Sequence, residues 1–422
     1  MATMKVLYRM TRRGVPYDAP VSLAVANQAA DRRAELVKTL PFNPSNAKTY
    51  YFGDKQKRIV GRDGKRVACL GLEPYESTDQ GQPSFTEKVR MSMERDDIPH
   101  IRTMSDISKL NTAETMWYRP YAEKTGADGR LRTYFRQTNV RSGRFSVERI
   151  NLQAMPQDYR LTGFDVMKGL PTPRQIIKQA YGRYPGWDPY ELDWAQAELR
   201  VAAQKAGCTK MLQMINDGVD LHGYAASELM GKHPDDPDWY QFRQVFKRFN
   251  FSAIFGIGPV KLQYDIAKQT GVYWSDQQTR DTLDGWNELY PEYKTAIDKF
   301  SYLAKRYQYT TLVNGKRRWY SRDELDNTHK AFNQYVQGSL AELGKDLLIW
   351  TEDLMRREGI AAHRHSDGTE AGLQLMIHDS YLLQLPGDRA DDLLAAIRDY
   401  AGPYGTEMFK VPMALDGGKW GK

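Results

Sequence analysis

The chain has 422 residues, which is long enough for two or three domains around sizeable cores. Hydrophobic residues make up 41% and charged residues 27%, as in a soluble globular protein, and the net charge of +7 weakly favours a polyanionic partner. The only cysteines, Cys69 and Cys208, are too few and too distant for a zinc motif or a disulfide framework. The sequence shows no apolar leader and no run of about 20 apolar residues, so we expect a cytoplasmic protein without a membrane span.

The amino-terminal part of the chain is predicted to be mostly helical. Residues 21–40 carry apolar side chains at helical spacing, and Pro41 would end this helix. Residues 84–87, Ser-Phe-Thr-Glu, have the form of a capping box that could begin a second helix, which would stop before Pro99. Residues 104–117 could form a third helix. No pattern in this part indicates chemistry.

Residues 119–144 are strongly basic. The acidic residues in this stretch are Glu123 and Asp128. The basic residues are Arg119, Lys124, Arg130, Arg132, Arg136, Arg141 and Arg144. A strand is predicted for residues 131–138. Basic side chains along strands form a surface that can follow a phosphate backbone, although a solvated basic face gives the same pattern. Asn151 and Gln153 follow, and their amides can reach acceptors in the minor groove of DNA.

Residues 190–200 are predicted to form a strand that turns directly into a helix. Tyr190, Leu192 and Trp194 alternate with polar residues, and good helix formers follow. Asp193 would then lie at the carboxyl end of the strand, and Glu198 about one turn into the helix. A carboxylate at such a strand end can bind a metal ion or act as an acid or base. Taken alone, however, the pattern would more often be an Asp that caps an ordinary helix.

The most informative helix is predicted around residues 243–256. Arg243, Lys247, Phe251 and Phe255 recur every four residues, so they would line one face of the helix. Two cations followed by two rings suit a nucleoside triphosphate, because the cations can bind phosphates and the rings can contact sugar and base. An ordinary amphipathic helix would keep its charges off the aromatic face. His222, at the start of an earlier helical run, would by itself be a capping or packing residue.

The carboxyl-terminal part is predicted to contain a second carboxylate at a hairpin tip. A long helix is expected at 339–357, after a segment with Asn333 and Gln337. Residues 373–385 read as two strands joined by a tight turn that holds His378 and Asp379. Asp379 could be a turn former without any other function. A helix at 390–400 and a strand at 411–415 would close the chain.

Taken together, these segments resemble the family A DNA polymerases, the class of the bacterial polymerase I and phage replicases. Motif A of that family, Asp-Tyr-Ser-Gln-Ile-Glu-Leu-Arg, is present as Asp193-Trp-Ala-Gln-Ala-Glu-Leu-Arg200. Motif B, Arg-x3-Lys-x3-Phe-x3-Tyr-Gly, corresponds to the segment from Arg243 to Gly256, and motif C, His-Asp-Glu, to residues 378–380. The family's other motifs follow the same order, as Ser142-Gly-Arg-Phe-Ser146, Asn151-Leu-Gln153, Asp220-x-His222 and Val336-Gln-Gly338.

The resemblance implies an α+β fold shaped as a right hand, with an antiparallel sheet in the palm. The thumb would comprise residues 1–118, the palm residues 119–204 and 346–422, and the fingers residues 205–345. It also implies template-directed DNA synthesis, in which dNTPs are added to a primer 3′-hydroxyl by two-metal-ion nucleotidyl transfer. The expected partners are primer-template DNA and dNTPs.

The resemblance assigns roles to individual residues. Asp193 and Asp379 would hold two Mg²⁺ ions, with Mn²⁺ as a possible substitute. The nucleotide would be bound by His222, Arg243, Lys247, Phe251 and Phe255, with Lys247 also catalytic. Glu198 would be the steric gate that excludes a 2′-hydroxyl. The DNA contacts would come from Arg144, Asn151, Gln153, Asn333, Gln337 and His378.

The sequence departs from the family pattern in four places. Motif A has Trp194 and Ala195 instead of Tyr and Ser, which should matter little. Phe255 replaces the Tyr whose hydroxyl supports the gate, so Glu198 would be held less firmly. Ser380 replaces the Glu of motif C, but we expect activity to survive because both aspartates remain. His329 stands where many relatives have an Arg, which weakens one expected DNA contact.

Helices resembling the thumb begin almost at Met1, so we expect a polymerase module without its own proofreading domain. A separate exonuclease, helicase or processivity subunit could then act with it. Two other functions remain open. A single-subunit RNA polymerase shares the palm, but Glu198 argues against it. A catalytically inactive polymerase that only holds DNA is disfavoured because Asp193 and Asp379 are both present.

Overall fold

The structure is a computed structural model that describes residues 1–156, 164–377 and 379–420. The α-helices in these residues are α1 (Ala2–Arg13), α2 (Ala19–Thr39), α3 (Ala47–Phe52), α4 (Glu87–Arg95), α5 (Ile101–Thr112), α6 (Arg119–Lys124), α7 (Pro173–Ala180), α8 (Ala197–Ala206), α9 (Thr209–Asn216), α10 (Leu221–Met230), α11 (Trp239–Ala253), α12 (Pro259–Thr270), α13 (Asp276–Leu289), α14 (Pro291–Tyr307), α15 (Ala331–Arg357) and α16 (Ala390–Phe409). The strands are β1 (Val15–Pro16), β2 (Arg58–Val60), β3 (Arg66–Ala68), β4 (Arg130–Leu131), β5 (Tyr134–Arg136), β6 (Ser146–Glu148), β7 (Trp187–Trp194), β8 (Tyr309–Thr311), β9 (Arg317–Trp319), β10 (Gly372–Ile377), β11 (Ser380–Pro386) and β12 (Leu415–Lys419). The predicted α+β class is confirmed.

The largest sheet in the described residues has four antiparallel strands in the order β10-β11-β7-β12. β10 and β11 form the hairpin that the sequence predicts. Their residues are almost all buried, because α1, α15 and α16 cover one face of the sheet while α2 and α7 cover the other. Burial on both faces explains why these strands are nearly continuous apolar runs instead of alternating apolar and polar residues.

The register of this sheet decides which residues meet. β7 turns directly into α8, as predicted, and Gln196 makes the turn with a left-handed backbone (φ 51°). Tyr381 of β11 pairs with Leu192 of β7, and Asp416 of β12 pairs with Asp193. The carboxyl end of β7 therefore meets the turn of the β10–β11 hairpin at one end of the sheet.

Helix α1 packs against α15 and the sheet. The guanidinium of Arg13 donates to both carboxylate oxygens of Glu352 on α15, at 2.6 and 2.8 Å, and to the carbonyl of Leu373 on β10 at 2.9 Å. Arg13 and Glu352 are both buried. The division into thumb, palm and fingers stays a prediction, and this packing favours a thumb that begins after α1.

Residues 40–107 have a small hydrophobic core of their own, formed around α3, α4 and α5. The predicted helix after Ser84 is present as α4, but it begins at Glu87, later than a capping box at residues 84–87 would give. Thr86 accepts a hydrogen bond from the backbone N–H of Val89 at 3.4 Å, so Thr86 caps the helix instead of Ser84. The helix predicted at 21–40 is confirmed as α2.

Several predicted boundaries are wrong, including the start of the long helix expected at 339–357, which begins at Ala331 as α15. The helix predicted at 390–400 is α16, which continues through Pro403 to Phe409 because buried side chains on its inner face hold it against the sheet. The last strand is β12 instead of residues 411–415. α11 ends at Ala253, so Phe255 lies in the following turn and not on the helix. Among the described residues, no helix combines the length and apolar character needed to span a membrane.

Candidate active site

Asp193 and Asp379 meet at the end of the four-stranded sheet. Asp193 lies near the end of β7, and Asp379 lies in the turn before β11. Although Asp193 reaches solvent, loss of surrounding water, together with the negative charges of Asp379 and Glu191, raises its pKa to about 6. A hydrogen bond of 3.0 Å from the N–H of Trp194 acts in the opposite direction. The two aspartates therefore lie within electrostatic range of each other, although they are far apart in the sequence.

Arg144 connects Asp379, a predicted metal ligand, with Glu198, the predicted gate residue. Its guanidinium donates to Asp379 at 2.7 Å and to Glu198 at 2.5 Å. Burial lowers the pKa of Arg144, but these two carboxylates outweigh burial and raise it overall. Phe255 has no hydroxyl to offer Glu198, the predicted gate residue, and Glu198 is held by Arg144. The sequence does not predict this contact between Arg144 and Glu198.

The loop that carries Arg144 is fixed by close packing against α15. Gly338 lies beside the carbonyl of Ser142, and an added Cβ would be 3.2 Å from that oxygen and 2.9 Å from Leu312. A larger residue at position 338 would have to push Leu312 or the Ser142 loop aside, so glycine favours this close approach. Since Gln337 precedes Gly338, the same contact places Gln337 near the loop of Arg144.

The aspartates fit the predicted cation. Within the described residues no group of three or more His, Cys, Asp or Glu side chains could hold a metal ion. Mg²⁺ does not need such a group, because it is commonly bound by one or two carboxylates together with water and substrate phosphates. Asp193 and Asp379 would supply those carboxylates, and Arg144 supplies positive charge at Asp379 in the structure.

Glu191 is a further acidic residue of this region that the sequence analysis did not identify. It lies two residues before Asp193 on β7, and both residues line a cavity of about 630 Å³ together with Arg174, Lys178 and Lys419. Ser380 donates a hydrogen bond of 3.0 Å to Glu191, and Arg174 forms an ion pair with it. The available signal was the period of two along a strand, which places residues 191 and 193 on one face.

Four of the predicted nucleotide-binding residues, His222, Arg243, Lys247 and Phe251, lie on α10 and α11, whereas Glu198 is on α8 and Phe255 is in the turn after α11. Arg243, Lys247 and Phe251 share one face of α11, and Lys247 is exposed. Lys247 and Phe251 line a cavity of about 490 Å³. Arg243 forms a bidentate ion pair with Asp220, at 2.6 and 3.2 Å, which connects α11 to the start of α10.

His222 is oriented by a buried amide. The indole N–H of Trp286 can only donate, and it donates to Oδ1 of Asn250 at 3.1 Å. Nδ2 of Asn250 must therefore face the carbonyl of Leu221, at 3.1 Å, and Nδ1 of His222, at 3.2 Å. Nδ1 is thus an acceptor, and the proton of neutral His222 is on Nε2.

The protonation of His222 agrees with this network. Burial, together with the positive charges of Arg243 and Lys247, lowers the pKa of His222 to about 4, although the negative charge of Asp220 opposes this shift. The imidazole is therefore neutral near pH 7. Asn250 and Trp286 were missed by the sequence analysis, which weighed only the residues that recur every four positions.

The predicted DNA contacts differ in how the structure uses them. Asn151 caps a short helix by accepting from the N–H groups of Gln153 and Ala154 at 3.1 Å. The side chain of Gln153 donates to the carbonyl of Met376 on β10 at 3.3 Å. Asn333 lies on α15, and its Oδ1 is buried without a hydrogen bond from the described residues. His378 lies outside the described residues.

The basic stretch 119–144 is largely paired with acids. Ion pairs connect Arg119 with Glu114, Arg132 with Asp128, Arg136 with Glu148 and Arg141 with Glu324. An ion-paired surface thus explains much of this stretch. Arg144 is the member of the stretch that lies in the candidate active site.

Known proteins are similar to this chain over most of its length. The family model "DNA polymerase family A" matches residues 67–421. Thermostable DNA polymerase I from Thermus filiformis is 24% identical over 408 residues, which cover 94% of this chain and 44% of that protein. DNA polymerase I from Mycobacterium tuberculosis is 22% identical, over 99% of this chain and 43% of that protein. The chain thus spans less than half the length of these relatives.

A solved structure has a similar fold. The polymerase domain of Pol1 from M. smegmatis, in complex with a DNA primer-template and dNTP, superimposes with a TM-score of 0.76 at 18% sequence identity. The match covers 99% of this chain and 69% of that one. The likeness shows that the described chain has the fold of that domain, as the resemblance implied.

Proposed function

This chain belongs to DNA polymerase family A, and on that premise we propose that it synthesises DNA on a template. The reaction would add dNTPs to the 3′-hydroxyl of a primer by two-metal-ion nucleotidyl transfer. The observation that carries the proposal is the meeting of Asp193 and Asp379 at the end of the sheet, where Asp379 helps to raise the pKa of Asp193. Paired carboxylates beside a cleft are the arrangement such chemistry needs.

Asp193 and Asp379 would hold the divalent cations, Mg²⁺ or Mn²⁺. When bound, these ions lower the pKa of the attacking hydroxyl and neutralise charge on the leaving pyrophosphate. The raised pKa of Asp193, about 6, still leaves its carboxylate mostly ionised above pH 7. Arg144, which pairs with Asp379 and Glu198, would also contact the primer terminus.

The triphosphate would lie against α11. Lys247 is exposed on the face of the helix that borders the cavity, where its ammonium can bind phosphate and stabilise charge that develops during transfer. His222 would donate from Nε2, since Nδ1 is occupied by Asn250. Arg243 is held by Asp220, so it would position the start of α10 and add positive charge.

The sugar would lie between Phe251 and Glu198. The ring of Phe251 lies 5.9 Å from that of His222, and it can pack on deoxyribose. Glu198, fixed by Arg144, would exclude a 2′-hydroxyl, so the preferred substrate is a dNTP. Gln337, Asn333 and Gln153 would contact the template-primer.

Primer extension with dNTPs and Mg²⁺ tests the proposal directly. We expect wild type to extend a primed template, and Asp193→Asn or Asp379→Asn to lose at least about 10³-fold in rate, since each removes a cation ligand. Wild-type melting temperatures would show that the variants are folded. Absence of extension by wild type, or full activity of Asp193→Asn, would contradict the proposal.

Parallel reactions distinguish the related functions. Equal use of NTPs and dNTPs would favour an RNA polymerase, whereas Glu198→Ala should raise ribonucleotide incorporation by about 10-fold or more as the gate is lost. Primers with a mismatched end would show whether this chain removes nucleotides as well as adding them.

A further inference from the structure

The candidate active site contains an acidic residue without an assigned role. Glu191 and Asp193 are separated by one residue on β7, so their side chains leave the same face of the sheet. Both line the same cavity at the end of the strand. Glu191 is also close enough for its charge to raise the pKa of Asp193.

Glu191 is directly connected to motif C. Ser380, which follows Asp379, donates its hydroxyl proton to Oε1 of Glu191 at 3.0 Å, and the same hydroxyl lies 3.0 Å from the carbonyl of Ile377. Ser380 stands where motif C of the family has Glu. The chain has therefore lost a carboxylate at position 380 and has one on the neighbouring strand, within hydrogen-bond distance of that position.

We propose that Glu191 supplies the third acidic group of the catalytic centre, in place of the carboxylate that motif C normally carries at position 380. This inference rests on the proposed function. The ligand of the catalytic centre would be a divalent cation at Asp193 and Asp379. Glu191 would act on this cation through its negative charge and through hydrogen bonds to water bound by the cation. Carboxylates that support a metal site in this way raise its affinity and orient its ligands.

A purely structural role for Glu191 is the alternative. Arg174 of α7 forms an ion pair with Glu191, and its guanidinium also lies over the ring of Trp420 at 5.0 Å. In this view, Glu191 would only hold α7 against the sheet. However, Arg174 and Ser380 both bind Oε1, so neither of them occupies Oε2. The carboxylate can therefore keep its pairing with Arg174 and still act towards a cation.

Mn²⁺ binding separates these two roles without requiring catalysis. Free Mn²⁺ is measured by electron paramagnetic resonance, both with the protein alone and with its complex with a dideoxy-terminated primer-template and dNTP. Glu191→Gln keeps the size and the acceptor for Ser380 but removes the charge, and it should weaken Mn²⁺ binding about 10-fold. Arg174→Gln is the matched control, which removes the ion pair but leaves the carboxylate and should not weaken binding.

An exchange of the two positions gives an independent test. Glu191→Ser alone should weaken Mn²⁺ binding as Glu191→Gln does, and adding Ser380→Glu should restore it to within about twofold, because the carboxylate returns to the motif C position. Primer extension by the same proteins should follow Mn²⁺ binding. Thermal melting shows which variants are folded.

Several outcomes would overturn the proposal. The first is that Glu191→Gln binds Mn²⁺ as tightly as wild type, and the second is that Arg174→Gln loses as much Mn²⁺ affinity as Glu191→Gln does. The third is that the double variant Glu191→Ser, Ser380→Glu is folded but does not recover Mn²⁺ affinity. If wild type binds Mn²⁺ but extends no primer, the proposed function fails, while the comparison of Glu191 with Arg174 still decides the role of Glu191. If wild type binds no Mn²⁺, both proposals fail.

Discussion

Among single residues, Asn250 determines which nitrogen of His222 carries the proton. It is buried, and its amide is held from three sides by Trp286, Leu221 and His222. Since the indole can only donate, the amide has one orientation, and that orientation sets the tautomer of His222. A residue that touches no substrate in the proposed complex thereby decides whether Nε2 of His222 can donate to a phosphate.

Replacing Asn250 by Leu, which has a similar shape, should weaken nucleotide binding. His222 would then be free to carry its proton on Nδ1. In that tautomer Nε2 cannot donate to the triphosphate, and a hydrogen bond of about 1 kcal/mol is lost. We expect the dNTP dissociation constant from single-turnover extension to rise about 5-fold. His222→Ala is the reference, and Asn250→Leu should add little to it. Additive losses would show that Asn250 acts by another route.

His222 should also make stability depend on pH. Burial lowers its pKa from 6.5 to about 4 in the folded protein, so the unfolded chain binds more protons between these values. Above about pH 6.5 His222 is neutral in both states and does not lower the free energy of unfolding. As the pH falls from 6.5 towards 4, protonation of His222 in the unfolded chain lowers the free energy of unfolding by at most about 3 kcal/mol.

Urea unfolding at pH 7 and pH 4.5 measures this effect. Other groups titrate in the same range, including Asp193, whose pKa is raised to about 6. The test is therefore the difference between wild type and His222→Gln, which should lose less stability on acidification. Equal losses in the two proteins would mean that His222 does not contribute.

At the scale of elements, a buried ion pair fixes α1 to α15. Arg13 donates two hydrogen bonds to Glu352 and one to the carbonyl of Leu373, so the pair reaches both a helix and the edge of the sheet. Such a pair need not add net stability, but the loss of one partner leaves a buried charge. The position of α1 against α15 and the sheet thus depends on charge as well as on apolar packing.

Arg13→Met should reduce the free energy of unfolding by about 3–5 kcal/mol, because Glu352 would stay buried with only Arg9 nearby, at 3.5 Å. Arg12→Met is the matched control on the same helix. Arg12 is half exposed and pairs with Glu370, so its loss should cost less than about 1 kcal/mol. Urea unfolding compares the two, and equal effects would contradict the buried pair.

Over the whole molecule the net charge is +7, and the stretch 119–144, with seven basic and two acidic residues, accounts for +5 of it. Several of its arginines form ion pairs with acids from other segments, which partly neutralise this positive charge. A net positive charge favours any polyanion and carries no sequence preference. In the proposed complex, specific placement of the primer end would therefore depend on the residues around Arg144.

Affinity for primer-template should fall with salt. We expect the plot of log affinity against log salt concentration to have a slope of about −3 or steeper, since phosphate contacts release counterions. Fluorescence anisotropy with a labelled duplex measures it. A duplex of uncharged peptide nucleic acid is the control and should show little dependence. A flat plot for DNA would mean that charge does not drive binding.

Sequence alone determined the elements that hold the chemistry. The alternation along residues 190–194 predicted β7, the apolar runs at 373–385 predicted the hairpin, and the four-residue spacing predicted most of α11, because these patterns are local. The motifs also named Asp193 and Asp379. Where local signals conflicted with packing, as at Pro403 in α16 and at Phe255 beyond α11, the predicted boundaries were wrong.

Only the tertiary structure decided which side chains meet. The contacts of Arg144 with Glu198 and Asp379, and of Ser380 with Glu191, join segments that are 54 to 235 positions apart. The tautomer of His222 depends in the same way on Trp286, from another helix. Such contacts follow from strand register and helix packing, which neighbouring residues in the sequence do not encode.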